Sequence, residues 1–222
     1  MIKALIIAGA SAAGKTTVAH KLIERGGFEL VRSLTTREVR PDSFGAEYIY
    51  TDREEFMRLV CSGAVLEHTE YSGNLYGTPR SEIERIAATG KTPLLILDLD
   101  GVRSLSVAEG VDACSVYIYG SLNVLETRLY ERYIGNTPSP DGLAKFVSRK
   151  EQNITDYLGM EEYSPYLYAF VRGDGALSDS VDGVARAYCG FLEGSPKDSD
   201  MIRRIASGLR DEALEKGGKG GL

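Results

Sequence analysis

Nine consecutive residues, Gly9-Ala10-Ser11-Ala12-Ala13-Gly14-Lys15-Thr16-Thr17, fit the spacing G-x-x-x-x-G-K-[ST]. That spacing turns backbone N–H groups toward a phosphate and adds the partial positive charge of a helix N-terminus. Lys15 can reach the β and γ oxygens, and the Thr16 hydroxyl can ligate Mg²⁺ beside them. The chemistry these residue types suit is the binding of a nucleoside triphosphate together with Mg²⁺.

Such a loop works between a buried strand and a helix. Residues 2–8 are mostly apolar and β-branched, which predicts a parallel strand buried on both faces. After the loop, Val18, Leu22 and Ile23 recur at helical spacing until Gly26-Gly27 stops the helix. A second strand is expected over 28–32. From residue 81 onward strands and helices alternate: helix 81–88, strand 93–97 ending at Asp98, helix 102–108, strand 113–119 and helix 122–132. A polar helix over about 143–158, a strand over 166–172 and a closing helix over 181–192 complete the series. This alternation predicts an α/β protein, a three-layer P-loop NTPase fold with a parallel central sheet.

The alternation breaks between residues 33 and 82. Residues 33–50 lose helical period and carry Arg37, Arg40, Pro41 and Gly45, as a polar loop closing into a short strand does. Asp52 reads as the N-cap of a helix over 53–61, with Glu55 as its capping-box partner. Residues 64–71 and 74–76, separated by Ser72-Gly73, read as a hairpin. An inserted mixed α/β lobe explains this segment. Residues 133–142, rich in Gly, Asn, Pro and Ser, read as a mobile loop. The expected division is therefore a core of 1–32, 83–121 and 161–194, a lobe of 33–82, a helical stretch of 122–160 around that loop, and a C-terminal helix with a flexible tail over 195–222. In that last piece Ile202, Ile205, Leu209 and Ala213 form one helical stripe, expected either to dock on the core or to make a dimer contact. Monomer and homodimer both stay open.

The net charge of −6 argues against generic nucleic-acid binding, which wants a basic face. An anionic substrate must then be captured by a local arginine cluster working against the overall field. Cys61, Cys114 and Cys189 are odd in number and far apart, as expected of thiols in a reducing compartment. With only His20 and His68, a His/Cys zinc site is not expected. No apolar run approaches ~18 residues, so no spanning helix and no membrane partner are expected. The cytoplasm is the expected location.

A phosphate loop alone does not separate kinases, GTPases and motor ATPases. Ser33-Leu34-Thr35-Thr36-Arg37 with Arg40, then Tyr48, Leu66-Glu67, Gly73-Asn74-Leu75-Tyr76-Gly77-Thr78-Pro79-Arg80, and Asp98 followed by Gly101 are further motifs in order. Together with the loop, over roughly residues 1–120, they make the chain resemble the guanylate kinase family. The resemblance implies phosphoryl transfer from ATP to GMP, giving ADP and GDP. It implies a GMP lobe using Ser33, Arg37, Arg40, Tyr48, Glu67, Tyr76, Thr78 and Asp98, and a closing lid whose arginines are best matched by Arg132 and Arg149, with Arg128 beside them. It thus implies a catalytic set of Lys15, Arg37, Arg132 and Arg149.

The residue types suit these roles. Arg37 and Arg40 offer several N–H donors to one phosphate monoester. The Glu67 carboxylate only accepts, and guanine presents two donors on one edge, N1–H and the 2-amino group. Asp98, ending a strand at the site edge, suits either the GMP pocket or the water shell of Mg²⁺. Ala12 stands where the family usually has Gly, so the backbone there must tolerate a Cβ. A kinase for another phosphate monoester and a catalytically dead interaction module are the alternatives. Glu67 argues against the first, and an intact Lys15 and Thr16 against the second.

Overall fold

The computed structural model describes residues 1–39, 48–71, 73–135 and 137–218. Strand β1 (Ile2–Gly9) runs into helix α1 (Lys15–Arg25), followed by β2 (Phe28–Leu30). The chain then leaves for β3 (Ser33–Thr35), β4 (Tyr48–Tyr50), α2 (Arg53–Cys61), β5 (Val65–Tyr71) and β6 (Asn74–Pro79). It returns as α3 (Arg80–Ala88), β7 (Thr92–Ile96), α4 (Leu99–Ser106) and β8 (Val111–Tyr119). Two long helices, α5 (Leu122–Tyr133) and α6 (Pro140–Leu158), are followed by α7 (Met160–Tyr163), β9 (Ala169–Arg172), α8 (Leu177–Leu192) and α9 (Ser199–Gly218).

Five strands form one sheet in the order β2-β7-β1-β8-β9, paired in parallel throughout. Residues 4–8 of β1 are fully buried at its centre. Each Leu or Ile enclosed there contributes about 1.5–3 kcal/mol. Successive strands step to one side of β1 through α1 and to the other through α4. Right-handed crossovers therefore put these helices on opposite faces. The phosphate loop leaves the carboxyl end of β1, where this reversal opens a crevice.

The second sheet, β4-β3-β6-β5, has its own apolar cluster of Leu34, Phe56, Val65 and Leu75. Its register explains a division of labour. Ser33 pairs with Tyr48, and Thr35 with both Tyr50 and Tyr76, so these residues share one face with Thr78. Leu34, Ile49, Leu75 and Gly77 occupy the other face, against Phe56 of α2. A Cβ on Gly77 would lie 2.8 Å from Val65 and 2.9 Å from the Glu67 carbonyl, so only glycine lets β5 and β6 approach this closely.

Local signals placed the helix starts with mixed success. Asp52 accepts from the Glu55 amide at 2.8 Å, whereas the Glu55 carboxylate turns to Arg58 instead of closing a capping box. Residues 33–35 form a strand where a loop was expected; three residues with one apolar side chain carry no readable alternation. Part of the expected mobile loop is helical, because α6 begins at Pro140, with Ser139 accepting from the Gly142 amide. Proline is favourable at this first position, where no amide is needed. The strand expected over 166–172 is confined to Ala169–Arg172, behind a short 3₁₀ turn over Ser164–Tyr166.

The C-terminal stripe docks within the chain. Ile202, Ala206, Leu209 and Ala213 are buried, and α9 packs on α6 and α7. Glu212 accepts from the Leu122 amide at 2.7 Å, and Lys216 pairs with Glu126, which also pairs with Lys150. The helix continues through Gly218, so Gly217 and Gly218 belong to it; the rest of the expected flexible tail, residues 219–222, lies outside the described residues. No helix among the described residues is long and apolar enough to cross a membrane.

Candidate active site

The phosphate loop is shaped by three kinds of contact. A Cβ on Gly9 would meet the Ile118 carbonyl at 2.2 Å, so glycine is required where β1 passes β8. Ala12 adopts φ 66°, a left-handed conformation that costs a non-glycine residue about 1–2 kcal/mol. Side chains from the helices that follow β8 then grip the loop. Asn153 of α6 accepts from the Ser11 amide at 2.6 Å and donates to the Ser11 carbonyl at 3.1 Å. Arg128 of α5 donates to the Ala12 and Gly173 carbonyls at 3.3 and 2.9 Å.

These contacts redistribute the loop's donors. The amides of Ala10, Ser11 and Ala13 are engaged by Ile118, Asn153 and Ala10 respectively. The N-terminal amides of α1, which lack intrahelical acceptors, remain the natural anion donors. Lys15 folds back on the loop, donating to the Gly9 and Ala10 carbonyls at 2.7 and 3.0 Å. Burial pushes its pKa down to about 8, Arg149 and Arg132 push the same way, and Asp156 opposes them. A cleft of about 470 Å³ is lined by Ser11, Ala12, Lys15, Thr16, Arg128, Arg132 and Arg149, among others. Four cationic side chains thus face one crevice in a protein of net charge −6.

The second cluster lies on the polar face of the β4-β3-β6-β5 sheet. The pairing of β5 with β6 slips between Val65 and His68, so β5 carries a bulge around Glu67. Bulges re-aim side chains beside functional sites. Here the bulge sends Glu67 to the polar face, where Thr78 donates to its Oε1 at 2.5 Å. Glu67 is 8% exposed, and burial raises its pKa to about 7, with the Asp98 carboxylate adding to the rise. Asp98 is also the N-cap of α4, accepting from the Gly101 amide at 2.7 Å.

Arg37 lies among hydroxyls. It is hydrogen-bonded to Tyr50 and stacks over the Tyr48 ring at 4.9 Å, and Tyr48 meets Tyr76 edge-on. Its amide donates to Thr35 Oγ1, which fixes the turn that presents it. Its Nε is buried without a hydrogen-bond partner among the described residues. A buried unpaired guanidinium donor is costly unless an acceptor arrives. Ser33 stands on the same face, whereas Arg40 lies outside the described residues.

Two carboxylates link the clusters electrostatically. Asp98 acts on both Glu67 and Asp156, and Asp156 acts on Lys15. Burial raises the Asp156 pKa, partly offset by Gln152 donating to it at 2.7 Å. Asn153 and Asp156 are absent from the sequence reading, although one signal was available. Arg149, Asn153 and Asp156 recur at i, i+4 and i+7, one stripe of α6 turned to the loop. No group of three or more potential metal-ligating side chains occurs among the described residues.

Similarity to known proteins agrees with this geometry. A family model described as guanylate kinase matches residues 1–161. A guanylate kinase from Homo sapiens is 32% identical over 196 residues, covering 82% of this chain and 95% of that protein. One from Symbiobacterium thermophilum is 35% identical over 217 residues, covering 96% and 93%. A crystal structure of guanylate kinase from Anaplasma phagocytophilum superposes with a TM-score of 0.55 at 24% identity, covering 89% of this chain and 88% of that one, and supports the fold. With its phosphate loop, its parallel sheet and most of its length matched in this way, the chain belongs to the guanylate kinase family.

Proposed function

We propose that the protein transfers the γ-phosphoryl group of ATP to GMP, giving ADP and GDP. The ATP phosphates sit on the N-terminal amides of α1, with Lys15 swinging from the Gly9 and Ala10 carbonyls to the β and γ oxygens. The GMP phosphate lies against Arg37, Tyr48 and Tyr76, with Ser33 and Arg40 as further donors. The guanine edge donates N1–H and its 2-amino group toward Glu67, with Thr78 orienting that carboxylate and Asp98 at the pocket edge. The observation that carries this reading is Glu67 itself. It is a buried, acceptor-only group re-aimed by a bulge and set on the same sheet face as an arginine whose Nε is unpaired among the described residues.

In-line transfer between two anions requires charge neutralisation and exclusion of water. Arg132 and Arg149 supply positive charge beside Lys15, and residues 122–160 act as the lid that carries them. The acceptor needs no strong base, because a phosphate monoester is already largely ionised near neutral pH. Thr16 would offer Mg²⁺ one hard oxygen ligand in the cleft, with waters and ATP oxygens supplying the remaining ligands such an ion prefers. When bound, Mg²⁺ neutralises charge on the β and γ phosphates.

A coupled ADP-release assay with ATP, Mg²⁺ and a panel of GMP, dGMP, AMP, CMP and UMP tests the reading. Turnover is expected with the guanine nucleotides. Equal rates with AMP and GMP would remove Glu67 as a base reader, and ADP release independent of any acceptor would make the protein an ATPase.

A further inference from the structure

We propose that Asn153 is a positioning residue for the ATP phosphates, holding the phosphate loop in a conformation that Ala12 resists. The inference rests on the reading above that this loop receives ATP. Ala12 sits at φ 66°, where an L side chain is strained, and the peptides flanking its Cα are those that are held. Asn153 takes both backbone groups of Ser11, at 2.6 and 3.1 Å, and Arg128 takes the Ala12 carbonyl at 3.3 Å. A clamp on both sides of one strained residue is what over-determines an unfavourable backbone.

Asn153 is suited to this and to little else. Its side chain is 1% exposed, and both ends of its amide are spent on Ser11. It therefore does not touch a substrate. It comes from α6, 142 residues away, so it ties the loop to the helix that also carries Arg149 and Asp156. The Ser11 amide is removed from phosphate binding and the loop is anchored there, while the residues at the start of α1, Lys15, Thr16 and Thr17, line the cleft. Were Gly at position 12, the same conformation would be free of Cβ strain and the clamp would matter less.

That coupling gives the test. ATP binding is measured by titration, and KM is measured for ATP and GMP, in the wild type, Asn153→Ala, Ala12→Gly and the double variant. Asn153→Ala is expected to weaken ATP about tenfold, the scale of losing about 1.4 kcal/mol of hydrogen bonding to the loop. The KM for GMP is expected to stay within about twofold, since Ser33, Tyr48, Glu67, Tyr76 and Thr78 lie on the other sheet. In the Ala12→Gly background the same substitution is expected to cost about threefold or less. Asn153→Leu keeps most of the buried volume and loses both hydrogen bonds, so it is expected to match Asn153→Ala; it carries the comparison if Asn153→Ala does not fold. An equal cost in both backgrounds, an equal rise in KM for GMP, or no change in ATP affinity would overturn the inference alone. Failure of the wild-type protein to bind ATP would count against the ATP site itself and remove the inference with it.

Discussion

The phosphate loop and the Glu67 face of the second sheet hold opposite charges in opposite settings. The loop gathers Lys15, Arg128, Arg132 and Arg149 around a cleft, and burial pushes Lys15 down to about 8. The lobe buries a carboxylate, and burial pushes Glu67 up to about 7. In both places a charge is held partly desolvated without a full partner, which favours whichever ligand supplies one. The two sites differ in what they demand. A cationic cleft accepts any polyphosphate, whereas an acceptor-only carboxylate rejects a base that offers no donors.

The largest expected effect tests that difference in demand. Glu67→Gln should lower kcat/KM for GMP by about 10³, because the new amide presents a donor to the guanine donors, while ATP affinity stays unchanged. A parallel loss of ATP binding would erase the distinction between the sites. Next in size, Lys15→Ala should lower kcat by about 10² with KM for GMP little altered, as loss of one electrostatic donor to the transferring group does. Unchanged turnover in single-exchange kinetics would take Lys15 out of the mechanism.

Titration sharpens the comparison at a scale of about tenfold. On the proposed reading GMP requires Glu67 ionised, and in the free protein this carboxyl is protonated below about pH 7. kcat/KM for GMP should therefore fall about tenfold per pH unit below that point and level off above it. A profile as steep in Glu67→Gln as in the wild type would assign the titration elsewhere.

Smaller effects concern stability. Arg32 and Glu82 pair through two hydrogen bonds at 2.9 and 2.7 Å, across the point where the chain enters and leaves the second sheet. The arginines around Glu82 hold its pKa down to about 2, below an unfolded value near 4.5. Its contribution is thus complete above about pH 4.5 and lost as pH falls through about 2. Glu82→Ala should cost about 1–2 kcal/mol at pH 7, the partners Arg32 and Arg85 being solvent-screened, with less difference from wild type in acid. Urea denaturation at pH 7 and pH 3 checks both magnitude and sign. Glu67 has the opposite sign. Its folded pKa is raised, so the stability it contributes is present below about 4.5 and lost as pH rises through about 7. Without nucleotide, Glu67→Gln should raise Tm at pH 8 by a few degrees, about 2–4 °C.

The two regions also differ in how far they can be read from the chain. The phosphate loop is nine contiguous residues between a strand and a helix, so spacing alone carries it. The lobe is assembled from Ser33, Tyr48, Glu67, Tyr76 and Thr78 through strand register. Only family resemblance collected them, because β3 and β4 are too short to show alternation and the bulge at Glu67 shifts the period. The grip of Asn153 on Ser11 and of Arg128 on Ala12 spans 142 and 116 residues, a separation at which no local pattern operates. The start of α6 is hidden in the sequence for a different reason. Pro140 and Ser139 are loop residues by composition, yet at a helix N-terminus they are a favourable pair.

Diffraction from crystals grown with ADP, Mg²⁺ and GMP tests the opposed arrangement most directly. The expected result is guanine on Glu67 and Thr78, its phosphate on Arg37, Tyr48 and Tyr76, and the ADP β-phosphate beside Lys15. GMP bound away from Arg37 and Glu67 at full occupancy would contradict it.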